Sequence, residues 1–119
     1  VIMAKKSEYT RRKWRIGKTW NYVTDQWDYY VESRRTAFKI FKYWEKVVFG
    51  TMHCSKFNEN GKVYIPANYK PTEYDTVYLV SEDAARELIE KLEERRKELF
   101  ARNDMIKKEL RDNKYIMVD

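Results

Sequence analysis

An α+β fold follows from three features of the sequence. Trp14 to Val31 alternates with a period of two, an Asn60-Gly61 pair precedes Val63-Tyr64-Ile65, and a capped amphipathic segment opens at Ser81. The expected architecture is a small antiparallel sheet of two hairpins plus one or two further strands. Two helices cover it, the longer one near the C-terminus. At 119 residues, the length prior is a single domain over 1–119. Within it, residues 1–10 read as a flexible polar arm and 81–112 as a long helix, continuous or broken at Arg102-Asn103-Asp104-Met105.

The first hairpin rests on parity. Trp14, Ile16, Trp20 and Tyr22 share one side; Lys13, Arg15, Gly17, Thr19 and Asn21 share the other. Trp27, Tyr29 and Val31 continue the alternation after a turn at Thr24-Asp25. That turn pairs Tyr22 with Trp27 and Trp20 with Tyr29, and sets Asn21 beside Asp28. The next stretch, SRRTAFKIFKYWEKVVFG, carries two stripes at helical spacing. Ala37, Ile40, Phe41, Trp44, Val47 and Val48 form the apolar one; Arg35, Lys39, Lys42 and Lys46 form the cationic one. Ser33 reads as its N-cap and Gly50 as its C′ residue. The preferred reading is hairpin then helix; one long helix from Thr24 to Phe49 competes with it.

Asn60-Gly61 accepts positive φ and implies a second hairpin, His53 to Pro66. DTVYLV reads as a short strand. Ser81 then caps a helix with acids in its first turn and Ala85, Leu88, Ile89, Leu92 and Leu99 on one face. KYIMV is a candidate last strand.

Composition bounds the function. Aromatic residues make up 16% of the chain, with three glycines and two prolines, so little of it should be disordered. Cys54 is the single cysteine, which excludes an internal disulfide and fits a reducing compartment. No apolar run approaches the length of a membrane span, and VIMAKKSEY lacks the apolar core of a secretory signal. A cytoplasmic protein is expected, in a host cell if the source is viral, with no membrane partner.

The net charge of +6 is unevenly placed. Residues 1–48 hold 12 Lys and Arg against 5 Asp and Glu; residues 81–119 hold 10 against 11. A basic end of this kind attracts anionic partners. Two clusters carry the expectation. Arg11, Arg12, Lys13, Arg15 and Lys18 are interleaved with aromatics, and Arg35, Lys39, Lys42 and Lys46 have few acids among them. Together they are expected to form one positive surface holding phosphates of DNA or RNA with little base readout. Trp14 is expected as its exposed stacking or wedging aromatic, with Tyr9 second. Trp20, Tyr22, Trp27 and Tyr29 fit a core better than a platform. The alternative partner is an acidic protein surface, with the chain acting as a small inhibitor of a host protein.

Enzyme chemistry finds little support. His53 and Cys54 are adjacent, so on a strand they point to opposite faces and form no nucleophile–base pair. Zinc-ligand spacing, a phosphate loop and a dinucleotide fingerprint are all missing from the sequence. Asp25, Asp28 and Glu32 would hold Mg²⁺ only on a helix; otherwise they neutralise Arg34 and Arg35. The expectation is a non-catalytic chain without metal or cofactor. In composition, rich in Lys, Tyr and Asn and poor in Ala, Gly and Pro, it resembles small accessory proteins of AT-rich viral or bacteriophage genomes. That likeness assigns no role to any residue.

Overall fold

The computed structural model describes residues 8–52 and 61–118. Strands β1 (Trp14–Asn21), β2 (Gln26–Ala37) and β3 (Phe41–Lys46) come first, followed by a single helical turn, α1 (Phe49–Met52). Two short strands, β4 (Val63–Tyr64) and β5 (Tyr78–Leu79), precede the long helix α2 (Glu82–Asp112). The five strands form one antiparallel sheet in the order β1-β2-β5-β4, with β3 also paired to β2. β2 is the spine. Its first half meets β5 at Tyr29↔Leu79, and its second half carries β3 from Glu32↔Lys46 to Ala37↔Phe41. The α+β class expected from the sequence is the observed one.

The β1–β2 hairpin closes two residues earlier than its aromatic pattern implies. Trp20 lies opposite Trp27 and Asn21 opposite Gln26. The cause is Asn21, whose Oδ1 accepts from the amides of Val23 at 2.9 Å and Thr24 at 3.2 Å and starts the turn there. Asp25 completes it at φ 56°. A shift of two preserves parity, so every side chain that remains paired stays on its expected face. Trp20 and Trp27 meet edge to face at 5.1 Å, while Tyr22 moves into the turn and is exposed.

Residues 33–50 are not the helix their stripes imply. Ser33 is buried within β2, Gly50 belongs to α1, and the segment between is strand, turn and strand. The single helix from Thr24 to Phe49 fails for the same reason. Thr36, Tyr43, Trp44, Val47 and Val48 favour a pleated surface, and pairing on both edges of β2 satisfies its backbone groups. The connecting turn has positive φ at two residues with bulky side chains, Phe38 at 54° and Lys39 at 65°. Ile40 N donates to Ala37 O at 3.3 Å across it.

Of the expected second hairpin, residues 53–60 lie outside the described residues; Gly61 has φ 68° as its turn requires. β4 finds its partner in β5, through Val63↔Leu79 and Tyr64↔Tyr78. KYIMV is no strand: Tyr115, Ile116, Met117 and Val118 are exposed beyond the end of α2, away from any sheet edge.

One face of the sheet presents Ile16, Val31, Val47, Val63, Val77 and Leu79 to α2. The helix answers with Ala84, Ala85, Leu88, Ile89 and Leu92, at the spacing that turns one stripe inward. Ser81 caps it, extended at φ −155°, its Oγ accepting from Ala84 N at 3.1 Å. The helix runs unbroken through Arg102–Met105, although its buried residues all precede Glu94. Its second half therefore projects from the sheet. The radius of gyration, 19.3 Å, reflects this, against about 14 Å for a compact chain of this length.

The β2–β3 turn yields a test. Replacing Phe38-Lys39 with Asn-Gly suits the positive φ values and should stabilise the protein by about 0.5–1 kcal/mol in urea unfolding. Equal or lower stability would show that the turn geometry is otherwise set.

Candidate nucleic-acid interface

Among the described residues the sheet has one face covered by α2 and one left open, and pairing register decides which side chains fall on each. Trp14, Ile16, Lys18 and Trp20 have helix-side parity, opposite Ser33, Val31, Tyr29 and Trp27; Arg35 shares that side through Ser33↔Glu45 and its neighbour pair Arg35↔Tyr43. Arg15, Gly17, Tyr30, Glu32, Arg34, Lys42, Trp44 and Lys46 have the opposite parity, and Lys13 joins them where its carbonyl accepts from Arg34 N at 2.9 Å.

The nine expected cations therefore do not share one surface. Arg11 pairs with Glu90 on α2. Arg12 is half-buried beside α2, its amide donating to Glu93 at 3.1 Å. Burial holds the Arg12 pKa below the usual arginine value, and neighbouring Arg35 and Arg96 add to the effect. Lys18 lies 4.5 Å over the Trp27 ring. Arg35 Nε donates to Glu45 at 2.8 Å, and Lys39 sits at the exposed turn. Only Lys13, Arg15, Lys42 and Lys46 of the nine gather on the open face.

Trp14 is not an exposed platform. It packs against the core, and its indole donates to Glu93 Oε1 at 2.7 Å. Tyr9 is likewise engaged: its hydroxyl donates to the Glu93 carboxylate, and its ring meets Phe100 edge to face at 5.9 Å. The described end of the expected arm is thus bound to α2. Glu93 is 4% exposed and also accepts from Arg96 Nη1 at 2.9 Å. Burial pushes its carboxyl pKa up, but donors from Tyr9, Trp14 and the Arg12 amide, with the Arg96 charge, hold it below the usual glutamate range.

On the open face, Trp44 organises the cations. The Arg15 guanidinium lies 4.3 Å from its ring centroid and that of Arg34 5.4 Å. Arg15 Nε also donates to Glu32 Oε1 at 2.9 Å, and Lys46 sits 4.5 Å over Tyr30. Tyr30 in turn lies across Gly17, where an added Cβ would fall 2.2 Å from the ring. Among the described residues, no carboxylate pairs with Lys13, Arg34, Lys42 or Lys46. Arg34 is the residue that helical reading missed. The alternation Lys42-Trp44-Lys46 is the signal that would have found it, since pairing sets Arg34 opposite Trp44.

His53 and Cys54 lie outside the described residues. Asp25, Asp28 and Glu32 do not converge: Asp25 is in the turn, and β2 separates the other two by four positions. Among the described residues no group of three or more His, Cys, Asp or Glu is placed to hold a metal ion, and no helix is long and apolar enough to cross a membrane. The chain matches no protein-family model, no curated protein and no solved structure.

Glu93 provides the test of this arrangement. Glu93→Gln removes the charge its donors face and should cost about 2–4 kcal/mol in denaturant unfolding. Because the folded pKa is depressed, the Glu93 contribution is complete above the unfolded value of about 4.3 and fades as pH falls through the folded one. Wild-type stability should therefore drop on acidification below that value, and the mutant should show a shallower drop. Parallel pH profiles would refute the role.

Proposed function

We propose that this protein is a non-catalytic nucleic-acid-binding accessory protein of the cytoplasm that grips phosphates with the open face of its sheet. The observation that carries the reading is the clustering of Lys13, Arg15, Arg34, Lys42 and Lys46 around Trp44 on a face that no helix of the described residues covers. The indole holds both guanidinium groups in place; Arg34 has no carboxylate partner among the described residues, and Arg15 engages Glu32 through Nε alone, which leaves its terminal nitrogens for phosphate oxygens. Strand-presented cations follow a backbone without reading base edges, so weak sequence preference is expected. Trp44 serves mainly as the support of the two arginines.

A second reading has its own observation. Phe38, Ile40 and Phe41 are exposed at the tip of the β2–β3 hairpin, next to Lys39 and Lys42. Apolar anchors beside cations also suit an acidic protein partner, as an inhibitor of a host protein would need.

A salt-titrated panel of single- and double-stranded DNA and RNA separates the two. The logarithm of affinity should fall linearly with that of salt, and Lys42→Glu or Lys46→Glu should each weaken binding about tenfold at low salt and flatten the slope. Lys91→Glu, on the exposed side of α2, should change it less than about twofold. Equal loss from all three, or no salt dependence, would discard the phosphate reading. Loss of partner capture in Phe38→Ser, with nucleic-acid affinity intact, would favour the protein partner.

A further inference from the structure

At the other end of the open face, the loop between β4 and β5 folds over the sheet and shapes a half-open cavity of about 360 Å³. Its walls are aromatic: Phe49, Tyr64, Tyr69 and Tyr78 line it, with the carboxylates of Asp28 and Asp75. The loop is held in place from within. Asp75 Oδ2 accepts from the Tyr69 hydroxyl at 2.7 Å and from Thr72 N at 2.8 Å. Those bonds, the Thr72 amide foremost and Tyr69 next, hold the Asp75 carboxyl below the ordinary aspartate range. Tyr78 is fixed edge to face against Tyr30, 6.3 Å between ring centroids. The Tyr69–Asp75 bond and the Tyr30–Tyr78 contact thus hold two of the walls in position.

Asp28 is the unusual member. It is 8% exposed, and its one hydrogen-bond partner among the described residues is Asn21, whose Nδ2 donates to Oδ2 at 2.9 Å. No lysine or arginine of the described chain pairs with it. A buried carboxylate without a countercharge is costly unless something completes it. Of the cations on the same face, Arg15 and Arg34 lie at the β3 end over Trp44, and Lys46 is taken up by the Tyr30 ring, on the far side of Tyr30 from the β4 end of the sheet. Aromatic walls with a carboxylate at the base attract a cation by ring quadrupole and by charge, and repel phosphate.

We propose that this cavity binds an alkylammonium group, with Asp28 as its counter-ion and the rings of Tyr64, Tyr69 and Tyr78 as its walls. The site is separate from the phosphate-gripping surface and does not depend on that reading. The group would belong either to a free amine or to a lysine side chain of a peptide.

Titration of the full chain with choline and with n-butylammonium, followed by proton NMR of the ligand, tests it. Saturable upfield shifts of the ligand protons are expected, because they sit over aromatic faces. The neutral isostere 3,3-dimethylbutanol should bind at least about tenfold more weakly, and Asp28→Asn should weaken choline by about tenfold or more. Should Asp28→Asn fail to fold, Tyr64→Ala must lower affinity and shrink the shifts. N-acetyl-lysine methylamide separates the sources: tighter binding than the free amines assigns a peptide lysine, weaker binding a small amine. Equal binding of the neutral isostere, unchanged affinity in Asp28→Asn or Tyr64→Ala, or no saturable shift with any amine overturns the proposal.

Discussion

The buried carboxylate of Glu93 sets the arrangement of the molecule. It sits on α2 where the chain enters β1, and it receives Tyr9, the Arg12 amide, Trp14 and Arg96. A charge in that position is tolerable only because its donors arrive together. By collecting them it fixes the approach of β1 to the helix and, with it, which parity of the sheet is covered. The same clamp withdraws Arg12 and Trp14 from solvent, while Arg11 is tied one turn earlier to Glu90. What remains for an outside partner is decided here, by cations spent on the fold and cations left over.

The open face carries the remainder, and it is unlike an ordinary solvated sheet surface. Tyr30, Tyr64 and Tyr78 form a row across β2, β5 and β4, and Gly17 extends it by leaving the space the Tyr30 ring occupies. Such a row is amphipathic and stiff, because aromatic side chains lose few rotamers when they pack. Arginines laid on Trp44 are restrained in the same way. Arg15, Arg34 and Lys46 are therefore presented in held positions rather than on free stems, which reduces the ordering cost of binding.

Much of this was legible in the sequence, and the failures have two causes. Parity placed Trp14, Trp20, Trp27 and Tyr29 on one face as found, with Tyr22 lost to the turn, and the Ser81 cap located α2. Helical spacing misled between Arg34 and Phe49 because lysines and aromatics dense enough to fill a period of two also satisfy a period of 3.6. Nothing local separates the two; the pairing of β2 with β1 on one edge and β3 on the other does. The same error exchanged Arg35 for Arg34. Trp14 was misplaced for another reason: its partner, Glu93, is 79 residues away, on a helix whose acids otherwise look like a solvated set. Long-range polar pairing leaves no periodic trace, so neither the clamp nor the Asp28 cavity could be read from spacing.

One face carries both a cationic cluster and a carboxylate-lined cavity, and distance along β2 keeps them from cancelling. Asp28 and Arg34 are six residues apart on an extended strand, about 20 Å, which exceeds the screening length of about 8 Å in physiological salt. Between them lie Glu32, which accepts from Arg15, and Tyr30, whose ring takes the Lys46 ammonium. Each potential is thus consumed locally before it reaches the other. An anionic polymer laid on Trp44 would meet chiefly cations, while a positive group entering beside Tyr78 would meet chiefly rings and carboxylates. Opposite preferences can coexist on a single sheet because the strand is long enough to separate them and the residues midway are already paired.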